Sequence, residues 1–492
     1  MSELVTHTSP ERLPTVELPR EMGFQSYEKL NGEKEYREGE KARFFAGETR
    51  NPKLDYPLLD EEELRASIRH LEPVLDQARQ FDDELIGDVV WSSAGYRMAE
   101  MYWLLEAKRM NELASNPESE AFQRSADRYQ KYNEELYGCP DPEKVEAVYG
   151  EIIALAQEKK LHPTTQTFYD ELVYGKTMYL QDTMVRLQGI GNDHPHRLPQ
   201  DVNETLDTLR EVLLEKFPDI TRIVTEYWEQ EIQGRQEDQR LFNTNDMQAV
   251  FERVRDFYDP DNEAGIGVVI NPSSAQLSWD TPSNAIKIGG QRQPINDISE
   301  MIPKVVHEYG HGLRALNGKK SGIPTLGTGM YTAAGEGERP DYLTFEEGFL
   351  TLCQMAIGDK FTGWGAEYFA HMVTLGGLYE GQDFREMYER CWRMHVVVEV
   401  PDGEEPSAQL LREAKEKAYV RCVRAKRGTP TELKDGPLLS FNKDLAYLNG
   451  ILDALDYLKR VGTDKEQIAR LWDGKFDPTN SIQDAVAQRT RK

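Results

Sequence analysis

The sequence predicts a mainly α-helical protein with a small β-sheet, on three observations. Apolar residues recur at helical spacing over most of the chain. Short, β-branched, glycine-bounded runs cluster between about residues 264 and 290. The breaks between helical stretches, YGCPDPEK, GNDHPHRLP and YDPDNEAG, are rich in turn formers. Residues 1–58 hold Pro10, Pro14, Pro19, Pro52 and Pro57 among many charges and read as an extended arm, draped over the body or partly disordered. Residues 59–259 read as a helical N-terminal region, with helices expected in DEEELRASIRHLEPVLDQARQF, SAGYRMAEMYWLLEAKRMNELAS, PEKVEAVYGEIIALAQEKK, DVNETLDTLREVLLEKF and NDMQAVFERVRDFYD. The aromatic residues between Ser93 and Leu105 are expected in the core. From 260 to 492 the order is strands in GIGVVINPSS and SNAIKIGG, with AQLSWDTP as strand or turn between them, and then helices. The first, ISEMIPKVVHEYGHGLRALNG, is expected to kink or begin at Pro303 and to end at Asn317-Gly318. A further helix runs through TFEEGFLTLCQMAIG.

The composition bounds the function. The chain has 492 residues, of which 39% are hydrophobic, enough for a substantial core. No apolar run approaches the ~18 residues of a membrane span, and MSELVTHTSPERLPTVELPREMGF lacks the pattern of a secretory signal. The four cysteines form no CxxC pair and are expected as reduced, mostly buried thiols, so a cytoplasmic location is expected. The net charge of −27 opposes nucleic acid and anionic membrane as partners, and opposes a strongly acidic substrate unless local cations intervene. The charge also serves solubility.

The chemistry is carried by Val305-Val306-His307-Glu308-Tyr309-Gly310-His311. Residues four apart on a helix share a face, so His307 and His311 can hold one Zn²⁺ at about 2.0–2.1 Å from each nitrogen. Glu308 projects elsewhere. It is placed to take a proton from a water on the ion, as a general base. A chance HExxH is expected on the order of once in a hundred such chains. The apolar turn before the motif suits a buried helix, and Gly310 and Gly312, poor helix formers, would let another element come close. Two core histidines and a surface glutamate are the plainer alternative.

Catalytic zinc takes three protein ligands and a water. His371 and His395 are isolated imidazoles, which leaves the carboxylates Glu336, Glu338, Asp341, Glu346 and Glu347. The pair Glu346-Glu347 opens an apolar helix, and adjacent helical residues point about 100° apart, so one ligates. Glu347 is preferred, and Glu346 can receive a histidine N–H and orient the ring. Simple N-terminal helix charge would also account for either acid. A basic cluster follows: between Arg412 and Lys434 there are eight basic and three acidic residues. Within and beyond it, Arg424, Arg427 and Lys443 can recognise a terminal carboxylate, and Tyr447 can donate to an oxyanion. The alternative is that these cations solvate a helix face or pair with the abundant acids. The AQLSWDTPSNAIKIG stretch is placed to line the cleft and take an extended peptide by strand addition. His194 and His196 read as a polar turn, not as ligands.

Three pieces resemble one family: HEYGHGLRALNG at 307–318, TFEEGFLTL at 344–352, and RAKRG at 424–428 with FNKDLAYLNGIL at 441–452. YNEELYGCPDPEKV at 132–145 is similar to a segment of the same family. The family is that of the tubulin-tyrosine carboxypeptidase-like (MATCAP-type) metallopeptidases, whose bacterial members are known by a QEGLA motif. The resemblance implies a helical fold around a zincin-like core over 260–492, with zinc on the two histidines and the glutamate of the QEGLA-like element. That element is Glu346-Glu347-Gly348-Phe349-Leu350 here, which makes Glu347 the ligand. FNKDLAYLNG is similar to the family's KDxxYLxG element and gives Lys443 and Tyr447 a role in the site. The family's histidines are usually one residue further apart, as HExxxH.

The expectation is a zinc metallopeptidase of the gluzincin kind, with one Zn²⁺ per chain and a peptide or protein C-terminus as substrate. Carboxypeptidase action follows from the resemblance. An endopeptidase, a zinc hydrolase acting on another substrate and a silent peptide-binding scaffold are the alternatives, and an intact Glu308 speaks against the last.

Overall fold

The computed structural model describes residues 18–174, 197–272, 274–281, 283–333, 338–358, 361, 363–379, 381–431 and 439–491. Among them the chain is mainly helical with one three-stranded sheet. Helix starts follow local chemistry: Asp60, Asp83 and Ser119 accept from backbone N–H groups of the first turns of Glu61–Ala78, Glu84–Leu113 and Glu120–Tyr137. In the first of these, Leu64, Ile68, Leu71, Val74 and Ala78 are buried, the stripe its sequence spacing requires. No helix among the described residues is long and apolar enough to cross a membrane.

The arm expected over 1–58 is not extended where it is described. Residues 20–23 and 26–30 form 3₁₀ turns and Lys34–Phe45 is an α-helix. The prolines fall at the joints: Pro19 caps the first turn, and Pro52 and Pro57 follow the helix. The scattered apolar residues Met22, Leu30 and Phe44 are buried, which holds the segment on the body. Residues 1–17 lie outside the described residues, as do His194, His196 and Glu336.

The buried cores also divide differently from the expected break at 259/260. One apolar cluster gathers residues from Met22 to Leu136 with Ile323, Leu326, Phe441 and Phe476. The other begins in sequence with Phe44, resumes at Ala147 and runs on to Trp472. The helices Pro142–Glu158 and Pro163–Tyr174 join this second core because they pack on Ala366–Tyr379 and Phe384–Glu399, far along the chain. Of the aromatic residues expected in the core, Trp103 is buried but Tyr102 is exposed.

The sheet has strands β1 (Gly267–Asn271), β2 (Leu277–Asp280) and β3 (Ala285–Gly289) in the order β1-β3-β2. β1 runs parallel to β3 and β2 antiparallel to it, so AQLSWDTP contains a true strand, at the sheet edge. Beneath the sheet lies the helix Ile298–Lys320. It starts five residues before Pro303, capped by Asp297, and runs past Asn317-Gly318 to Lys320. It packs on Leu343–Ile357, which in turn packs on Leu445–Val461. These three helices and the edge strand hold the candidate site.

Candidate metal and substrate site

His307 and His311 stand one turn apart on Ile298–Lys320, their ring centroids 5.4 Å apart. Gly310 and Gly312 leave room for neighbours there: a Cβ on the first would meet Leu350 at 2.6 Å, and on the second Trp279 at 3.2 Å. The helix Leu343–Ile357, packed against Ile298–Lys320, brings Glu347 across. One donor atom each from His307, His311 and Glu347 lies within 4.8 Å of the others. Two imidazoles and a carboxylate form a donor set suited to a catalytic zinc, with room for water. Burial pushes the His307 imidazole below its ordinary value, against the pull of Glu308. The neutral ring that results is the metal-binding form.

The remaining acids have other work. Glu346 is 1% exposed and lies 3.1 Å from His311 Nδ1, 3.2 Å from Lys475 Nζ and 3.4 Å from an Arg314 guanidinium nitrogen. Arg314 is fixed in turn by the carbonyls of Gly474 and Phe476, both at 2.8 Å. Burial alone would raise the Glu346 carboxyl, but Lys475, His311 and Arg314 hold it well below the usual carboxylate range. Asp341 accepts from the Thr344 N–H at the start of Leu343–Ile357, and Glu338 from the Ser481 N–H. Asp341 and Glu338 are therefore engaged elsewhere, and only Glu347 is grouped with the histidines as a donor.

These residues face a cavity of about 290 Å³. It is lined by His307, Glu308 and His311 on one side and by Glu346 and Glu347 on another. Residues 276–279 and Thr281 bring the edge strand to it. The basic stretch contributes Arg424 and Arg427 and the segment after it Lys443 and Tyr447, all four of the residues singled out in the sequence. They are not equivalent. Arg424 donates to Asp444 at 2.6 Å and to the Tyr447 hydroxyl at 3.2 Å, so a carboxylate already balances it. Asp444 also meets His371, which stacks on Tyr447 with centroids 4.9 Å apart. Burial, with help from Arg421, pushes His371 down to about 4, and it is neutral near pH 7. The Lys443 ammonium lies against aromatic faces, 4.7 Å from the Tyr27 ring centroid and 5.9 Å from that of Tyr447. Burial and the neighbouring Arg424 push Arg427 down to about 10. Other members of the basic cluster pair elsewhere: Lys417 with Glu399 and Arg421 with Glu367.

The FNKD turn is positioned by the 132–145 segment. The Asn442 N–H donates to Asn133 at 2.9 Å, its amide to the Gly138 carbonyl at 2.6 Å, and Phe441 stacks on Trp103. Sequence reasoning missed Gln25, Tyr27, Asn31 and Lys475, and it left His371 isolated. Nothing local in QSYEKLN or DGKFD marks them. One further group of possible metal donors exists among the described residues, Glu367, His395 and Glu399. Lys417 stands 3.5 Å and 3.0 Å from the two carboxylates and Arg421 pairs with Glu367, so two cations already balance the group.

Cys353, Cys391 and Cys422 are buried free thiols, and Cys139 is exposed and free. Comparison of the chain with protein families, with curated proteins and with solved structures finds no match.

Proposed function

We propose that the chain is a zinc metallopeptidase that removes residues from a peptide C-terminus. The observation that carries this is one cavity holding three convergent donors, His307, His311 and Glu347, a glutamate beside them, and the cations Arg427 and Lys443. An HExxH helix beneath a sheet edge, with its third donor on a later helix packed against it, is the arrangement expected of a gluzincin. Membership of the tubulin-tyrosine carboxypeptidase-like family, a cytoplasmic location and one Zn²⁺ per chain are parts of the same proposal. The net charge of −27 supports the absence of nucleic-acid and membrane partners.

When bound, zinc supplies Lewis acidity and makes water a nucleophile near neutral pH. The chain's own residues do the rest. Glu308 accepts the proton of the attacking water and later delivers it to the leaving amine. The Tyr447 hydroxyl, held by Arg424, donates to the oxygen that gains charge as the carbonyl is attacked. Arg427 and Lys443 receive the terminal carboxylate. The edge strand β2 can pair with the peptide backbone upstream. Glu346 fixes the orientation of His311.

The test is metal analysis with peptide profiling by mass spectrometry. The purified protein should carry one zinc and shorten free-carboxylate peptides stepwise, leaving their amides intact. Glu308→Gln should keep its zinc and lose turnover by about 10²-fold or more. Internal cuts would instead make the protein an endopeptidase. Absence of zinc, or full activity in Glu308→Gln, would overturn the mechanism.

A further inference from the structure

We infer that the N-terminal segment 25–31 restricts this site to chain ends, with Tyr27 as its specificity-determining residue; the inference rests on the peptidase reading above. Gln25, Tyr27 and Asn31 line the same cavity as the zinc donors, although nearly three hundred residues separate them in sequence. Tyr27 stands beside the cations assigned to the substrate carboxylate. Its ring covers Lys443 at 4.7 Å, and it lines the cavity together with Arg427. The hydroxyl donates to the Gln25 side chain, and the Asn31 amide donates to the Tyr27 carbonyl at 3.5 Å.

This wall is anchored. Met22 and Leu30 on either side of it are each 2% exposed. The Ser26 hydroxyl donates to Glu100 at 3.0 Å and lies 2.7 Å from the Tyr137 hydroxyl. Arg97 donates to the Met22 carbonyl at 3.0 Å. These partners belong to the helices Glu84–Leu113 and Glu120–Tyr137, so the segment is tied to the helical body by buried polar contacts.

The cavity measures about 290 Å³, at the bottom of the ~300–1,000 Å³ range of small-molecule pockets. An extended chain advances about 3.3 Å per residue. A peptide whose carboxylate meets Arg427 and Lys443 ends against Tyr27, and a chain continuing past that point would have to displace the ring. Tyr27 therefore selects the end of a chain by exclusion as well as by charge.

The test uses the full chain, zinc-loaded, in the Glu308→Gln background, so that peptides stay intact. The probes are hexapeptides with a randomised last residue, labelled with fluorescein on a side chain, and the same peptides extended by four residues and closed head to tail so that they offer no chain end, with binding read by anisotropy. With Tyr27 present, the extended set should bind about ten-fold more weakly. Tyr27→Ala should narrow that ratio to about three-fold or less, and Tyr27→Phe, which keeps the ring, should restore it. Melting curves establish that both variants are folded. An unchanged ratio in Tyr27→Ala, or no discrimination before substitution, overturns the inference while leaving the peptidase reading intact. If the ratio shifts as expected but the Glu308 protein cleaves neither set, the peptidase reading falls and the wall stands. No binding of either set overturns both.

Discussion

At the scale of single residues, the buried Glu346 couples the fold to the proposed metal site. It compensates Lys475 and Arg314, themselves 1% and 0% exposed, while touching His311. Replacing it leaves two buried cations without their counter-charge, a change that typically costs about 3–5 kcal/mol. It also frees the His311 ring, and loss of such an orienting carboxylate weakens metal binding by about 10–100-fold. Glu346→Gln should therefore show both effects: a lower unfolding midpoint without metal, and a weaker zinc affinity by competition with a chromophoric chelator. A stability loss with unchanged affinity would reduce Glu346 to a purely structural part. The two histidines and Glu308 were legible because a helix sets their geometry within four residues. Glu346 and Glu347 were legible as an acidic pair opening an apolar helix. Lys475 and Tyr27 were not, because what gives them meaning is a neighbour more than a hundred residues away.

At the scale of elements, the site depends on how closely Leu343–Ile357 lies against Leu445–Val461, since the first carries Glu347 and the second Tyr447. Gly348 and Gly450 face each other at that contact. A Cβ on Gly348 would come within 1.9 Å of the Gly450 backbone, and one on Gly450 within 2.0 Å of the Thr344 carbonyl. Backbone atoms cannot turn aside as a side chain can. Gly348→Ala should thus force the helices apart and cost about 1–3 kcal/mol or more. Because the shift falls next to Glu347, zinc content after dialysis should drop along with the melting temperature. A stable variant with full zinc content would mean that the helix contact is not what sets the ligand. The sequence marked the first of these as a helix through TFEEGFLTLCQMAIG, while the second fell in a stretch read only as helical. Periodicity carried no information on which faces meet, and the helix Ile298–Lys320 holds Pro303 inside it and runs past the end read at Asn317-Gly318. Packing outweighed the local stop signals there: Gly318 is buried within the helix and does not close it.

At the scale of the whole molecule, the two buried cores meet through the C-terminal stretch 472–483. Trp472 belongs to one core and Phe476 to the other. Between them, Lys475 reaches Glu346, and the Gly474 and Phe476 carbonyls hold Arg314. Asp477 follows, 1% exposed, accepting from the Thr479 N–H and hydroxyl at 2.8 Å and 2.7 Å. None of this junction was legible in the sequence, because a short polar stretch gives no periodic signal and its partners come from both halves of the chain.

The junction should make the stability of the whole protein depend on pH near neutrality. Burial pushes the Asp477 carboxyl up to about 7, opposed by its bonds to Thr479 and assisted by the nearby Asp341 and Asp453. Its pKa in the unfolded chain is about 3.9. A raised folded pKa means that the stability it contributes is complete below about pH 4 and is lost as pH rises through 7, because only the unfolded chain ionises freely in that window. A shift of this size corresponds to a few kcal/mol at most. An asparagine in its place would be neutral at every pH and, like the protonated acid, would keep an oxygen for both Thr479 donors. Calorimetry of the wild-type protein and Asp477→Asn at pH 5 and pH 8 isolates the effect. The gap between their unfolding midpoints should widen in favour of the asparagine variant at the higher pH and then level off above the folded pKa. Curves that stay parallel from pH 5 to 8 would show that Asp477 is ionised in the fold throughout, with Arg314 and Arg339 supplying enough charge to hold it so.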